Sequence, residues 1–108
     1  MVGQIEVIFT PEVIRYLDDL VVTLYKKEYF GFIESAEDYV SDIHNAIPER
    51  IKKTSHKKTP KALQYLGSNY IFYKPTVRTT WYIFFEKRNQ NYVITGITNN
   101  YSEEAKGL

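Results

Sequence analysis

The chain contains no cysteine. Disulfides and thiolate metal sites are therefore excluded, and a reducing compartment is compatible with the composition. Only two histidines are present, His44 and His56. With no thiolate to join them, a zinc site would have to recruit scattered carboxylates, so neither a metal nor any other cofactor is expected. The five glycines stand singly, which leaves no glycine-rich loop to cradle a phosphate. No apolar run is long enough to cross a bilayer, and none near the start looks like a secretory leader, so a cytoplasmic protein without membrane contact is expected. There is little excess of charge: the formal net charge is +1, and any polyanion partner must be argued from local clustering. Internal repeats and low-complexity tracts are absent. No Ser–His–Asp arrangement is legible, and the carboxylates of Asp18 and Asp19 are adjacent, hence on different flanks of a helix.

What remains is an aromatic, well-mixed chain of 108 residues, 44% hydrophobic and 16% aromatic. That is one domain by size, residues 1–108, with ample material for a core. Its organising stretch is Asn69 to Tyr101. Three strands are predicted there: Asn69–Lys74, Arg78–Glu86 and Tyr92–Asn99. The middle one is rich in the aromatic and β-branched side chains that fit a pleated, half-buried surface. Pro75 cannot donate to a ladder and ends the first strand. The polar run Lys87–Asn91 predicts a hairpin between the last two.

Upstream, Gln4–Thr10 alternates as a short strand, with Ile5, Val7 and Phe9 on one side. Thr10-Pro11-Glu12 carries a helix start: a capping hydroxyl, a proline suited to the first turn, and an acid at the positive end of the helix dipole. Val13, Leu17, Leu20, Val21 and Leu24 then make one apolar stripe, to about Lys27. Ser35 to Asp38 opens a second helix, whose stripe runs Ala36, Val40, Ile43, Ile47, Ile51. Pro48 interrupts it, and a kink or a stop and restart is expected there. The sum is an α+β fold of two layers, in which the N-terminal strand and an αα-hairpin cover a mainly antiparallel sheet of about four strands.

Between helix and meander lies Arg50–Lys61, in which six of twelve residues are Lys or Arg. It reads either as a solvated, flexible loop or as a phosphate-binding patch with aromatics nearby. In the middle strand, Trp81, Ile83 and Phe85 alternate with Tyr82, Phe84 and Glu86, so both faces carry aromatics. Helices cover one face only, and an exposed apolar face marks an interaction surface.

This order of elements resembles the RelE/ParE superfamily of toxins from bacterial toxin–antitoxin modules, over nearly the whole chain. Ile5-Glu6-Val7-Ile8-Phe9-Thr10-Pro11-Glu12 looks like the family's opening strand and helix. Ala36-Glu37-Asp38-Tyr39-Val40-Ser41-Asp42-Ile43 looks like its second helix. Tyr82-Ile83-Phe84-Phe85, then Val93-Ile94-Thr95-Gly96-Ile97, looks like its central hairpin. The resemblance implies a type II toxin that inhibits translation by cleaving ribosome-bound mRNA, or that poisons DNA gyrase. It also implies a cognate antitoxin partner, as a homodimer or a heterotetramer with it. Where the family's ribonucleases carry cations, this chain has Thr79, Thr80 and Asn100.

RNA cleavage by the 2′-hydroxyl needs a base, cations for the phosphorane and an acid for the leaving oxygen. The catalytic candidates are Lys74, Arg78 and Tyr101, with His56 as a further proton carrier, and Arg78 and Tyr101 expected to converge on the open sheet face. Lys52, Lys53, Lys57, Lys58, Lys61 and Arg88 are the candidates for binding nucleic acid. Tyr73, Tyr82 and Phe84 are the candidates for holding a partner. The alternative is a non-catalytic interaction module on the same fold.

Overall fold

The computed structural model describes residues 6–27 and 30–108. Gln4 and Ile5 of the expected first strand lie outside them. The strand that follows, β1 (Val7–Phe9), is short, and Val7 and Phe9 turn together toward the core. Helix α1 spans Pro11–Lys26. The Thr10 hydroxyl accepts from the Val13 amide at 3.3 Å, and Pro11 occupies the first turn, where no amide is needed. Val13, Leu17 and Leu20 are its buried face.

Helix α2 spans Ile33–Lys53 without a break. Its cap is Phe32, three residues before the expected Ser35, and supplies no side-chain hydrogen bond. No stop and restart occurs at Pro48, which lies inside the helix. A proline inside a helix costs about 3 kcal/mol or more, and burial beyond it offsets that. Ile47 and Ile51 on either side are fully buried, and the guanidinium of Arg50 donates to the Phe72 carbonyl at 3.1 Å while lying 5.4 Å from the centre of the Tyr73 ring. The last turns of α2 are thereby tied to the sheet.

Among the described residues the sheet has five strands, one more than the four or so expected. The additional one is β2 (Lys57–Lys58), drawn from the basic segment; β3 (Asn69–Tyr73), β4 (Trp81–Arg88) and β5 (Asn91–Asn99) form the meander. Their spatial order is β1-β5-β4-β3-β2. β1 runs parallel to β5, with Ile8 opposite Val93; the other pairings are antiparallel. The β4–β5 hairpin turns on Asn89 and Gln90, and Asn89 takes the positive φ (55°) that asparagine tolerates.

Both helices pack on one face of this sheet. Val13, Leu17, Leu20, Val40, Ile43, Ile47 and Ile51 meet Ile71, Trp81, Ile83, Phe85, Ile94 and Ile97 in a single core. The indole N–H of Trp81, which burial would orphan, donates to the Tyr39 hydroxyl at 3.1 Å. The fold is therefore the two-layer α+β arrangement expected, with a mixed sheet.

The other sheet face is partly roofed. A 3₁₀ turn, Lys61–Leu66, crosses it and ends at Gly67. A Cβ on Gly67 would stand 2.6 Å from Thr95 Oγ1, 2.8 Å from Phe85 N and 2.9 Å from Phe84 Cβ, and its φ of +154° favours glycine as well. Gly96 leaves similar room for Leu66. Thr95 is the extra residue of a bulge opposite Phe84 and Phe85, and its hydroxyl donates to Leu66 O at 2.6 Å. A second 3₁₀ turn, Glu104–Gly107, packs beside the first, with Gly107 close to Leu63.

Candidate nucleic-acid interface

Register decides what the unroofed part of the sheet presents. Lys57, Tyr70, Phe84 and Gly96 form one row across β2, β3, β4 and β5; Phe72, Tyr82 and Thr98 form the next. Both rows face away from the helices. Phe84 is fully buried there, under Gly67 and beside the Tyr70 ring at 5.6 Å. Phe72 and Tyr82 are half-buried and stay open. A shallow groove of about 340 Å³ lies over them, lined by Lys57, Tyr70, Phe72, Lys74, Thr80, Tyr82 and Leu108.

The groove combines an aromatic floor with two ammonium groups. Lys57 Nζ lies 5.8 Å from the centre of the Phe72 ring, and Lys74 follows the last residue of β3. Among the described residues no Asp, Glu or His side chain lines it. Cations that track phosphate and rings that accept any base by stacking are the two components of single-strand recognition. For acid–base chemistry the side chains described there offer ammonium, phenol and hydroxyl groups.

The expected catalytic residues divide. Lys74 lines the groove. Arg78 and Tyr101 do converge, at the end of the sheet where Tyr73, Trp81 and Asn99 stand in register, but through the main chain. The Tyr101 hydroxyl donates to the Arg78 carbonyl at 2.9 Å, and Asn100 Nδ2 donates to the same oxygen at 3.1 Å. Asn100 Oδ1 accepts from the Thr80 amide at 2.9 Å. The guanidinium takes no part. Neither Arg78 nor Tyr101 lines the groove. His56 is engaged elsewhere: its Nε2 lies 2.7 Å from the Ile51 carbonyl near the end of α2, and its ring meets Phe85 and Tyr92 edge-on.

The expected partner face needs correction. Tyr73 lies opposite Trp81 and packs against the core on the helix side, whereas Tyr82 is on the groove side and Phe84 is buried. The three do not form one surface, and only Tyr82 offers one. The groove also takes in Tyr70, Phe72 and Thr80, which stand in no site motif of the sequence. Strict alternation back from Tyr82 through its partner Phe72 would have found the first two.

The basic segment is structured rather than a loose loop. Thr59 N donates to Ser68 O at 3.0 Å beside the β2–β3 pairing, and Gln64 Nε2 donates to Thr59 O at 3.4 Å. Of its lysines only Lys57 reaches the groove. Lys52, Lys53, Lys58 and Lys61 are exposed, and Lys53 stands 3.9 Å from Glu49. Arg88 is at the hairpin end of β4, the end away from Lys74.

Among the described residues no group of three or more His, Asp or Glu is placed to hold a metal ion, and no helix is long and apolar enough to cross a membrane. No family model, curated protein or solved structure matches the chain.

Proposed function

We propose that this chain is a toxin of the RelE/ParE kind, the toxin component of a type II toxin–antitoxin module. It acts in the bacterial cytoplasm, inhibits translation by engaging single-stranded RNA, and is neutralised by a cognate antitoxin. The observation that carries the reading is the groove: Lys57 and Lys74 flank an aromatic floor on the one sheet face the helices leave free. Bases and phosphates fit that chemistry better than a protein surface such as DNA gyrase does. A second reading has its own support. Among the described residues the groove has no His, Asp or Glu side chain, and the Tyr101 hydroxyl is already donated, which favours an interaction module without catalysis.

The test is induced expression of the chain in bacteria, beside a Lys57→Ala/Lys74→Ala variant, with protein synthesis, DNA supercoiling and mRNA 5′ ends followed together. The toxin reading expects growth arrest with translation halted by the native chain, and relief in the variant at equal soluble expression. New mRNA ends identify cleavage. A halt in supercoiling with translation intact moves the target to gyrase. Growth and translation unaffected by soluble protein leave the interaction module.

A further inference from the structure

The groove on the sheet is matched by a second one on the opposite side of the molecule, between the helices. It has a volume of about 350 Å³ and is lined by Ile14, Leu17, Asp18 and Val21 of α1 and Glu37, Val40, Ser41 and His44 of α2. Leu17 and Val40 are its buried floor; Ile14 is 38% exposed. The spacing of the α1 residues (14, 18, 21) and of the α2 residues (37, 41, 44) is that of one helix face, so both walls run along the helix axes. The wall from Ile14 to Val21 is roughly 10 Å long, about two turns. His44 is fixed by stacking on Phe9, ring centres 4.4 Å apart.

Among the described residues the charged side chains that line this groove, Asp18 and Glu37, are both acidic. From Ile33 to Pro48, α2 carries Glu34, Glu37, Asp38 and Asp42 and no Lys or Arg. Among the described residues neither Asp18 nor Glu37 is in an ion pair; the two pairs present are Glu49–Lys53 and Glu103–Lys106. An apolar trough about two turns long with unpaired carboxylates on both walls is complementary to one kind of ligand.

We infer that the groove between α1 and α2 is a docking site for an amphipathic helix of a partner protein, its apolar stripe flanked by Lys or Arg. The apolar stripe covers Ile14 and Val21, and the flanking cations meet Asp18 and Glu37. This mode is helix-in-groove recognition, with the rim charges choosing the partner. It is independent of the RNA reading, because none of its residues touches the sheet groove.

The experiment uses the full chain and two labelled helical peptides with the same leucine stripe, one flanked by lysines and one by glutamates. Fluorescence anisotropy at low salt is expected to show the lysine-flanked peptide bound about tenfold tighter or more, with the gap closing as salt is raised. An Asp18→Lys/Glu37→Lys variant, whose changes are at exposed positions, is expected to reverse the preference while its circular dichroism and melting stay as in the native chain. Ile14→Ala is expected to weaken both peptides. Equal binding of the two peptides, no binding of either, or no response to the charge reversal overturns the proposal. So does sedimentation of the chain alone as a dimer that the charge reversal dissociates, since the occupant would then be a second copy.

Discussion

The Tyr101 hydroxyl donates a 2.9 Å hydrogen bond to the main-chain carbonyl of Arg78, twenty-three residues earlier. Tyr101 and Arg78 are thus neighbours whose reactive ends do not meet. The tyrosine, together with Asn100, holds the loop that leads into β4. Asn100→Ala removes two side-chain hydrogen bonds and is expected to destabilise by about 1–2 kcal/mol. Tyr101→Phe removes one exposed bond and is expected to cost about 0.5–1 kcal/mol. Arg78→Ala leaves the carbonyl in place and is expected to stay within about 0.5 kcal/mol of the native chain. Urea unfolding of the three variants measures this ranking. Arg78→Ala falling below Asn100→Ala would show that the guanidinium, not the carbonyl, holds the loop.

The roof over Phe84 depends on two glycines. At Gly67 both the backbone φ of +154° and three contacts under 3.0 Å oppose a side chain. Gly67→Ala is expected to destabilise by about 2–4 kcal/mol, through strain and overpacking against backbone that cannot retreat. Gly96→Ala meets the Leu66 carbonyl at 2.9 Å and is expected to cost about 1–3 kcal/mol. Gly31→Ala, with open space around it, is the control. Thermal melts of the three compare them directly; a Gly67 variant as stable as Gly31→Ala would mean the turn does not sit on the sheet as described.

These two cases show where the sequence was informative. Helix α1 was legible because a cap, a proline and an apolar stripe agree at Thr10, Pro11 and Val13 through Leu20. The meander was legible because its aromatic strands are bounded by Pro75 and a polar turn. Strand β2 was not, since Lys57 and Lys58 carry no apolar signal and gain their structure from pairing with Tyr70 and Asn69. Pro48 suggested a break because local propensity was the only guide; Ile47, Ile51 and Arg50 override it through contacts distant in sequence. Alternation alone puts Phe84 on the open face, because the segment that covers it, 61–67, lies outside the sheet. Lys57, Lys74 and Tyr82 were each singled out, but for three different roles, and only register shows that they share one groove.

Tyr16 gives the molecule an alkaline weakness. The residue is 36% exposed, and the partial burial of the rest pushes its phenol above the ordinary value of 10.0, with the Glu104 carboxylate pushing in the same direction. Below pH 10 both folded and unfolded chains hold this proton, and its contribution to stability is complete. As pH rises past 10, the unfolded chain loses the proton first, so stability falls until the folded pKa is passed. Tyr16→Phe is expected to flatten the decline, and Glu104→Gln to flatten it less, since burial is the larger cause. Urea midpoints measured from pH 8 to above 10 test this; identical slopes for the native chain and Tyr16→Phe would refute it.

The sheet groove makes a prediction about salt that separates its lysines from the others. Each phosphate neutralised on a single strand contributes about −0.7 to the slope of log K against log salt. Lys57→Ala and Lys74→Ala are each expected to reduce that slope by about 0.7 for a short labelled single-stranded RNA. Tyr82→Ala is expected to weaken binding by about 1–3 kcal/mol at every salt concentration with the slope unchanged, because stacking releases no counterion. Arg88→Ala is the contrast: its side chain is equally basic but lies at the other end of the hairpin, so both slope and affinity are expected to stay near native. Duplex RNA, whose bases are already stacked, is expected to bind more weakly than the single strand and to be indifferent to Tyr82→Ala. If Arg88→Ala lowered the slope as much as Lys57→Ala, the RNA would be held by diffuse charge around the basic segment and hairpin, and the groove would have no part in selecting it.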